Sequence, residues 1–338
     1  MILVDHRRAA QITCLLLFTL FAAHCGSRAT ELRGSTMGTS YSIKLFNRTE
    51  IDNTQLQALI DKALKRVNGA MSTYDETSTI SKFNALKSTG WYDIGFDFSS
   101  VLQAALVLAR ATDGYFDLTA GRLVNLWGFG PDGRPDKVPT TAQIRQALAA
   151  TGHQKLVIDK TGRRIRKLNP GLYVDLSAIA KGYAVDMIAE LLVAKGIINF
   201  MVEIGGEIRV SGLNNGEPWR IGVEKPAPGQ RQLQRIVTLK DQAMATSGDY
   251  RNFYEKNGQR YSHTIDVRTG RPVTHKLAGV SVLHSSCMLA DGYATALMAM
   301  GPERGLIWAE KNQIAALFLI YEGDHVVEKT SQTLKKQL

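Results

Sequence analysis

Apolar positions recur along the chain with two spacings, and the points where one gives way to the other divide it into elements. Leu56, Leu59, Ile60, Ala63, Leu64 and Val67 predict an amphipathic helix over residues 54–70. Phe98, Val101, Leu102, Ala105, Leu108 and Ala109 predict a second over 97–112, stopped at Asp113-Gly114. Ile179, Tyr183, Met187 and Leu191 recur every four residues and predict a third, with Ser177 as its N-cap and Lys195-Gly196 as its cationic last turn and glycine stop. Shorter helical patterns cover 81–86, 141–150 and 288–300. Strict alternation marks strands instead: Tyr41, Ile43 and Leu45 against Ser40, Ser42 and Lys44. Apolar runs bounded by turns predict further strands at 156–158, 164–168, 200–204, 207–211, 219–224, 233–239, 278–283, 314–321 and 325–327. The turns are Lys160-Thr161-Gly162, Asn214-Asn215-Gly216 and Pro226–Gly229. No short-period repeat is visible, and strands and helices mix without βαβ alternation. That pattern predicts an α+β fold, largely antiparallel sheets with packed helices.

One junction organises the rest. Residues 171–176 read as a short apolar strand with Asp175 near its end, and the helix from Ser177 follows at once, with Lys181 and Gly182 in its first turns. A strand that feeds a capped helix presents unpaired N–H groups and a positive dipole end, which suits a phosphate. Most such joints in α/β proteins bind nothing, so the junction is only a candidate.

Charge narrows the ligand classes. The 338 residues carry 41 Lys and Arg against 31 Asp and Glu, a formal charge of +10. A basic surface suits nucleic acid, anionic lipid or phosphate-rich small molecules. The basic residues are scattered, with no dense run outside Lys335-Lys336, so no nucleic acid is expected and phosphate chemistry fits better. At the N-terminus, His6, Arg7 and Arg8 precede an apolar run from Ile12 to Ala23, the pattern of an export signal over residues 1–24. Ala22-Ala23-His24-Cys25-Gly26 resembles a bacterial lipobox in which His24 replaces the usual small residue. The expectation is a lipid anchor on Cys25 at the periplasmic face of the inner membrane, with ordinary cleavage nearby as the alternative. The remaining 25–338 is then one catalytic domain. Cys14 leaves with the signal, Cys287 sits in an apolar setting, and no cysteine spacing suggests zinc.

Several clusters carry candidate chemistry. Asp291 and Thr295 lie four apart on one helix face, a carboxylate and a hydroxyl of the kind that suit Mg²⁺; a capping Asp and a packed Thr would look the same. His263 stands in a strand among Ser262, Thr264 and Asp266. Met244 to Tyr250 reads as a small polar loop, and Gly34 to Thr39 as a small-residue loop able to approach a ligand. Glu203 and Glu207 flank Gly205-Gly206 in what is equally a tight hairpin. Gly128-x-Gly130-x-x-Gly133 is formally a dinucleotide fingerprint, but no strand leads in and a Pro-rich loop follows, so it is set aside.

Taken together, these clusters resemble a known family. Thr36-Met37-Gly38-Thr39-x-Tyr41, Tyr74-Asp75, Phe116-Asp117, Asn125 to Gly130, Val174-Asp175-Leu176-Ser177 and Lys181-Gly182-Tyr183-Ala184-x-Asp186 stand in the order seen in the FAD:protein FMN transferases, the ApbE family. Glu203-x-Gly205-Gly206-Glu207, Thr246-Ser247-Gly248, His263-Thr264-Ile265-Asp266-x-x-Thr269-Gly270 and Ala290-Asp291-Gly292-x-Ala294-Thr295 continue the match over nearly all of residues 31–325. The resemblance implies a T-fold-like architecture and a Mg²⁺-dependent enzyme. Such an enzyme splits FAD, passes FMN to a Thr or Ser hydroxyl of an acceptor protein in a membrane electron-transfer complex, and releases AMP. It also implies that Met37, Tyr74, Tyr115, Phe116, Asp117, Asp175, Lys181 and Ile265 line the FAD site. Asp291 and Thr295, with backbone oxygens near Ala178 and Ala294, would hold Mg²⁺, and His263 would take the acceptor's proton. Some relatives carry an acid where Lys181 stands, and Ala178 has only its carbonyl to offer. An FAD pyrophosphatase and a non-enzymatic FAD-binding lipoprotein use the same pocket and are the rival readings.

Overall fold

The computed structural model describes residues 29–338 except 47–51, 134, 136, 227–231, 251 and 324. The first half contains β1 (Ala29–Thr36), β2 (Thr39–Phe46), α1 (Asn53–Met71), α2 (Thr79–Ala85), β3 (Tyr92–Asp93), α3 (Phe96–Ala111), α4 (Gly121–Leu126), α5 (Thr141–Ala150), β4 (Leu156–Ile158) and β5 (Arg164–Lys167). Next come α6 (Ser177–Ala194), β6 (Phe200–Ile204), β7 (Glu207–Ser211), β8 (Trp219–Glu224), β9 (Leu233–Leu239), β10 (Ala243–Gly248), β11 (Phe253–Lys256) and β12 (Gln259–Ser262). The chain closes with β13 (Ile265–Asp266), β14 (Arg271–Pro272), β15 (Leu277–His284), α7 (Cys287–Met300), α8 (Pro302–Lys311), β16 (Ala315–Glu322), β17 (His325–Thr330) and α9 (Gln332–Lys335).

Eight strands form one sheet in the order β1-β2-β6-β7-β10-β15-β16-β17, every neighbouring pair antiparallel. Its main face meets α1, α6 and α7, with α3 packed on those helices, and Tyr41, Ile43, Leu45, Val202, Val280 and Val282 join the helices' apolar stripes. The other face is covered by the β8–β9 hairpin through Trp219, Ile221 and Val237 against Val210, Leu317 and Leu319. Coverage on both faces is why β15 and β16 are apolar nearly end to end while β2 alternates. A third cluster joins Leu123, Trp127, Ile144, Tyr261 and Ile265. The predicted mixture of helices and antiparallel strands is the one observed.

Several local expectations need correction. The segment 34–39 is not a loop: β1 runs to Thr36, β2 starts at Thr39, and only Met37 and Gly38 turn, both at positive φ (51° and 72°). Residues 244–248 are not a loop either, because β10 is an interior strand between β7 and β15; its small side chains reflect close cover by α7. Residues 172–176 join no ladder. They are apolar because Leu172, Val174 and Leu176 are buried, and their peptide groups bond to the Asn84 side chain and to Leu118 instead. Ser177 is the first helical residue and not the cap; Oδ1 of Asp175 accepts from its N–H (2.9 Å) and its hydroxyl (2.5 Å). β12 ends at Ser262, so His263 lies in a break and not within a strand. The predicted signal, Cys14, Cys25 and residues 227–229 of the Pro226–Gly229 turn lie outside the described residues. Among those described, no helix is long and apolar enough to cross a membrane.

Candidate active site

The site forms at one end of the large sheet. The β1–β2 turn and the Gly205-Gly206 turn lie side by side there, because Gly205 N–H donates to the Ser40 carbonyl. The second turn needs glycine twice, at φ 62° and 104°, and it delivers Glu207 to the first position of β7. Behind it, α6 and α7 cross in close contact at Gly182. A Cβ there would sit 2.4 Å from the Cys287 carbonyl oxygen. This approach brings the Gly182 N–H within 3.1 Å of Asp291 Oδ2. In an α-helix that same N–H faces the carbonyl four residues back, here Ala178, so the Ala178 carbonyl and the Asp291 carboxylate converge.

Lys181 binds this corner electrostatically. Its Nζ lies 2.7 Å from Glu207 Oε1 and 4.0 Å from Asp291 Oδ1. Burial pushes both carboxyls above their ordinary range; Lys181 opposes the shift, and Asp291 adds to that of Glu207. Burial alone would lower the Lys181 ammonium, but Asp291 and Glu207 raise it, so it stays charged. Two carboxylates thus share one ammonium, and Oε2 of Glu207 is buried with no hydrogen-bond partner among the described residues.

His263 lies close enough to this corner to feel the Lys181 charge. Its Nδ1 lies 3.0 Å from the Asn252 carbonyl oxygen, which can only accept, so Nδ1 carries the proton and Nε2 presents a lone pair. Burial lowers its pKa and the nearby Lys181 charge lowers it further, against Asp249 and the Asn252 carbonyl. The imidazole is neutral and basic at ordinary pH. Phe129 meets it edge-on, with ring centroids 6.3 Å apart, at the end of an aromatic run through Tyr254, Tyr261 and Trp127.

The other expected residues are placed in different ways. Tyr74 is 68% exposed, reaches the Phe129 carbonyl at 3.4 Å, and has its phenol pKa raised by burial of the hydroxyl and by the Asp175 charge. Asp175 is fixed from both sides: its N–H donates to the Leu118 carbonyl and its carboxylate holds Ser177. That hydrogen bond also places the 115–117 segment beside it. Phe116 is core, and Tyr115 is buried under the Arg268 guanidinium at 3.8 Å. The Asp117 carboxylate is used inside the protein, accepting from Thr119 N–H and hydroxyl and from His153 N–H. Ile265 is buried in the third cluster on β13, which packs against α7, and Met37 is half-buried in its turn.

The amino end of α7 is not available to a phosphate. The Asp186 carboxylate already fills it, accepting from Ser286 Oγ, Cys287 N–H and Met288 N–H at 2.7–3.0 Å and from Arg209. Asp291 therefore caps nothing. It lies in the second turn of α7, facing the pocket, with half-buried Thr295 one turn further on. The donor set of Asp291, Thr295 and the Ala178 and Ala294 carbonyls is all oxygen and fits a hard divalent cation. The excess of buried carboxylate over Lys181 fits it too. Among the described residues, no three His, Cys, Asp or Glu side chains group to hold a metal, so backbone and hydroxyl oxygens would have to complete the shell. The sequence left Glu207 open between a candidate acid and a hairpin residue, gave it no role, and offered no sign of Asn252. A carbonyl that orients a histidine eleven residues away leaves no trace in side-chain identity.

Comparison with known proteins identifies the family. The ApbE family profile matches residues 37–318. The FAD:protein FMN transferase of Vibrio cholerae is 48% identical over 320 residues, covering 94% of this chain and 95% of that protein. The FAD:protein FMN transferase of Haemophilus influenzae is 41% identical over 332 residues, covering 96% of each. Among solved structures, the flavin transferase ApbE from Vibrio cholerae superposes with a TM-score of 0.86 at 47% identity, covering 92% of this chain and 99% of that one. The ApbE protein of Thermotoga maritima does so with a TM-score of 0.82 at 30% identity, again covering 92% and 99%. With the family profile matching most of the chain and relatives 48% and 41% identical over nearly its full length, the chain belongs to the ApbE family.

Proposed function

We propose that this protein is an FAD:protein FMN transferase that moves FMN from FAD to a threonine or serine hydroxyl of an acceptor protein, with AMP as the leaving group and Mg²⁺ required. The observation that carries the reading is a neutral imidazole with a free Nε2 within electrostatic reach of the Lys181–Glu207–Asp291 cluster. FAD's pyrophosphate is a poor electrophile because its charge repels an incoming oxygen. In this reading Lys181 would lie by that charge, and Tyr74, Asp175 and the Tyr115–Asp117 segment would line the FAD site. Mg²⁺, held by Asp291, Thr295 and the carbonyls of Ala178 and Ala294, would supply further charge neutralisation at the phosphates. His263 Nε2 accepts the acceptor hydroxyl's proton as that oxygen bonds to the FMN phosphorus. The bond from this phosphorus to the bridging oxygen breaks, and AMP departs with the electron pair.

The test is mass spectrometry of a threonine-containing acceptor domain incubated with the protein, FAD and Mg²⁺, against an EDTA control. A metal-dependent FMN adduct on the acceptor is expected. Free FMN and AMP with no adduct would replace the transferase with a pyrophosphatase, and intact FAD would leave a binding protein.

The location proposed for this activity is the periplasmic face of the inner membrane, with residues 1–24 removed, a lipid on Cys25, and acceptors in membrane electron-transfer complexes. The lipobox-like stretch before Cys25 supports this. Cys25→Ala should move the protein from the membrane to the soluble fraction, and an unchanged distribution would remove the anchor.

A further inference from the structure

Lys167 is a fully buried lysine with no acid paired to it among the described residues. It ends β5, and its ammonium donates to two backbone carbonyls, Asn84 at 3.1 Å and Leu172 at 3.4 Å, above the Phe83 ring at 5.1 Å. The charges that bear on it, Lys87 and Arg122, are both cationic, and with burial they lower its pKa to about 8. A lone buried ammonium costs stability, so its retention calls for a reason.

The reason lies in what its two carbonyls belong to. Asn84 follows directly in the chain from Phe83 at the end of α2, and its side-chain amide meets both peptide groups of Val174. Nδ2 donates to the Val174 carbonyl and Oδ1 accepts from the Val174 N–H, each at 2.8 Å. This is the bonding a neighbouring strand would supply, and residues 172–176 have no such strand. The next residue is Asp175, whose N–H is held by Leu118 and whose carboxylate holds the start of α6. Lys167 thus fixes the backbone of Asn84 and of Leu172, and Asn84 fixes Val174, the residue before Asp175.

We propose that Asn84 and Lys167 are positioning residues for the FAD site: together they replace a missing strand and set the place of Asp175 and of the first turn of α6. This rests on the functional reading above. Neither residue touches the reacting atoms, so their loss acts on FAD binding more than on the chemical step.

The experiment uses the full chain as wild type, Asn84→Ala, Asn84→Asp, Lys167→Met and the double variant Asn84→Ala/Lys167→Met. FAD affinity is measured by fluorescence titration, and hydrogen exchange is followed over 172–176. We expect Asn84→Ala and Lys167→Met each to weaken FAD binding about tenfold, the size expected when buried peptide groups lose their partners. KM for FAD should rise more than kcat falls, and exchange over 172–176 should quicken. Asn84→Asp keeps the acceptor for Val174 N–H and should fall between wild type and Asn84→Ala. The double variant should lose no more affinity than the worse single one, because both act on one segment. Wild-type affinity in folded Asn84→Ala, or additive losses in the double variant, would overturn the proposal alone. A wild-type protein that binds no FAD would overturn the functional reading and this proposal with it. Asn84→Asp keeps the test decisive if Lys167→Met does not fold.

Discussion

The Lys181 ammonium sits 2.7 Å from Oε1 of Glu207, and it is the cation that lets Glu207 and Asp291 share one buried corner. Lys181→Met leaves both carboxyls without it. Removing one partner of such a cluster should destabilise the metal-free protein by about 3 kcal/mol, read by urea unfolding. Both carboxyl pKa values are raised in the fold, so their protonated forms favour the native state. That stability is present at low pH and is lost as the pH rises past their ordinary values of 4.5 and 3.8 through the raised folded ones. Added Mg²⁺ should therefore raise the wild-type Tm more at pH 8 than at pH 5. An equal rise at both would remove the carboxylate corner as the metal site.

His263 acts only while its Nε2 is unprotonated. Burial and Lys181 hold its pKa below the usual 6.5, so transfer should persist into mildly acid solution and fall only below that value. His263→Ala should cut the transfer rate by about 10²- to 10⁴-fold and keep FAD affinity. An acid limb above pH 6.5, or near-normal transfer by the variant, would remove it as the base.

Gly182 is where α6 and α7 touch backbone to backbone. Gly182→Ala places a methyl 2.4 Å from the Cys287 carbonyl oxygen, and neither helix backbone can give without separating the pair. Overpacking of this kind costs about 1–3 kcal/mol. It should also pull the Gly182 N–H from Asp291 and reduce transfer at sub-saturating Mg²⁺. A wild-type melting curve would show that the α6–α7 crossing yields to a methyl group.

Asp186 closes the amino end of α7 and pairs with Arg209, so its carboxylate is engaged with Ser286, Cys287, Met288 and Arg209. Asp186→Ala leaves Cys287 and Met288 N–H groups and Arg209 without their acceptor and should cost about 3 kcal/mol. KM for FAD should be little changed in protein that remains folded. Loss of FAD binding without loss of stability would put Asp186 in the site instead.

Much of this molecule was legible in the chain. Helices with wide apolar stripes and hairpins closed by Gly or Asn turns are set by local spacing, so α1, α3, α5, β6, β7, β8 and β9 appear where the periodicity places them. Local spacing misleads where burial has another source. Residues 172–176 are apolar like a strand, but they satisfy their backbone through Asn84, ninety residues away in sequence. β10 has the small polar residues of a loop, but α7 packs so near that only small side chains fit. The ordered motifs determined the family and the identity of His263, Lys181 and Asp291 as candidates. What each one does was decided by tertiary contact. The helix crossing at Gly182 turns Asp291 into a pocket carboxylate, and the paired turns at 37–38 and 205–206 bring Glu207 onto Lys181. The Asn252 carbonyl selects the histidine's tautomer. Charge, hydrogen-bond direction and pKa depend on distances between residues far apart in sequence, and the chain carries those distances only once it is folded.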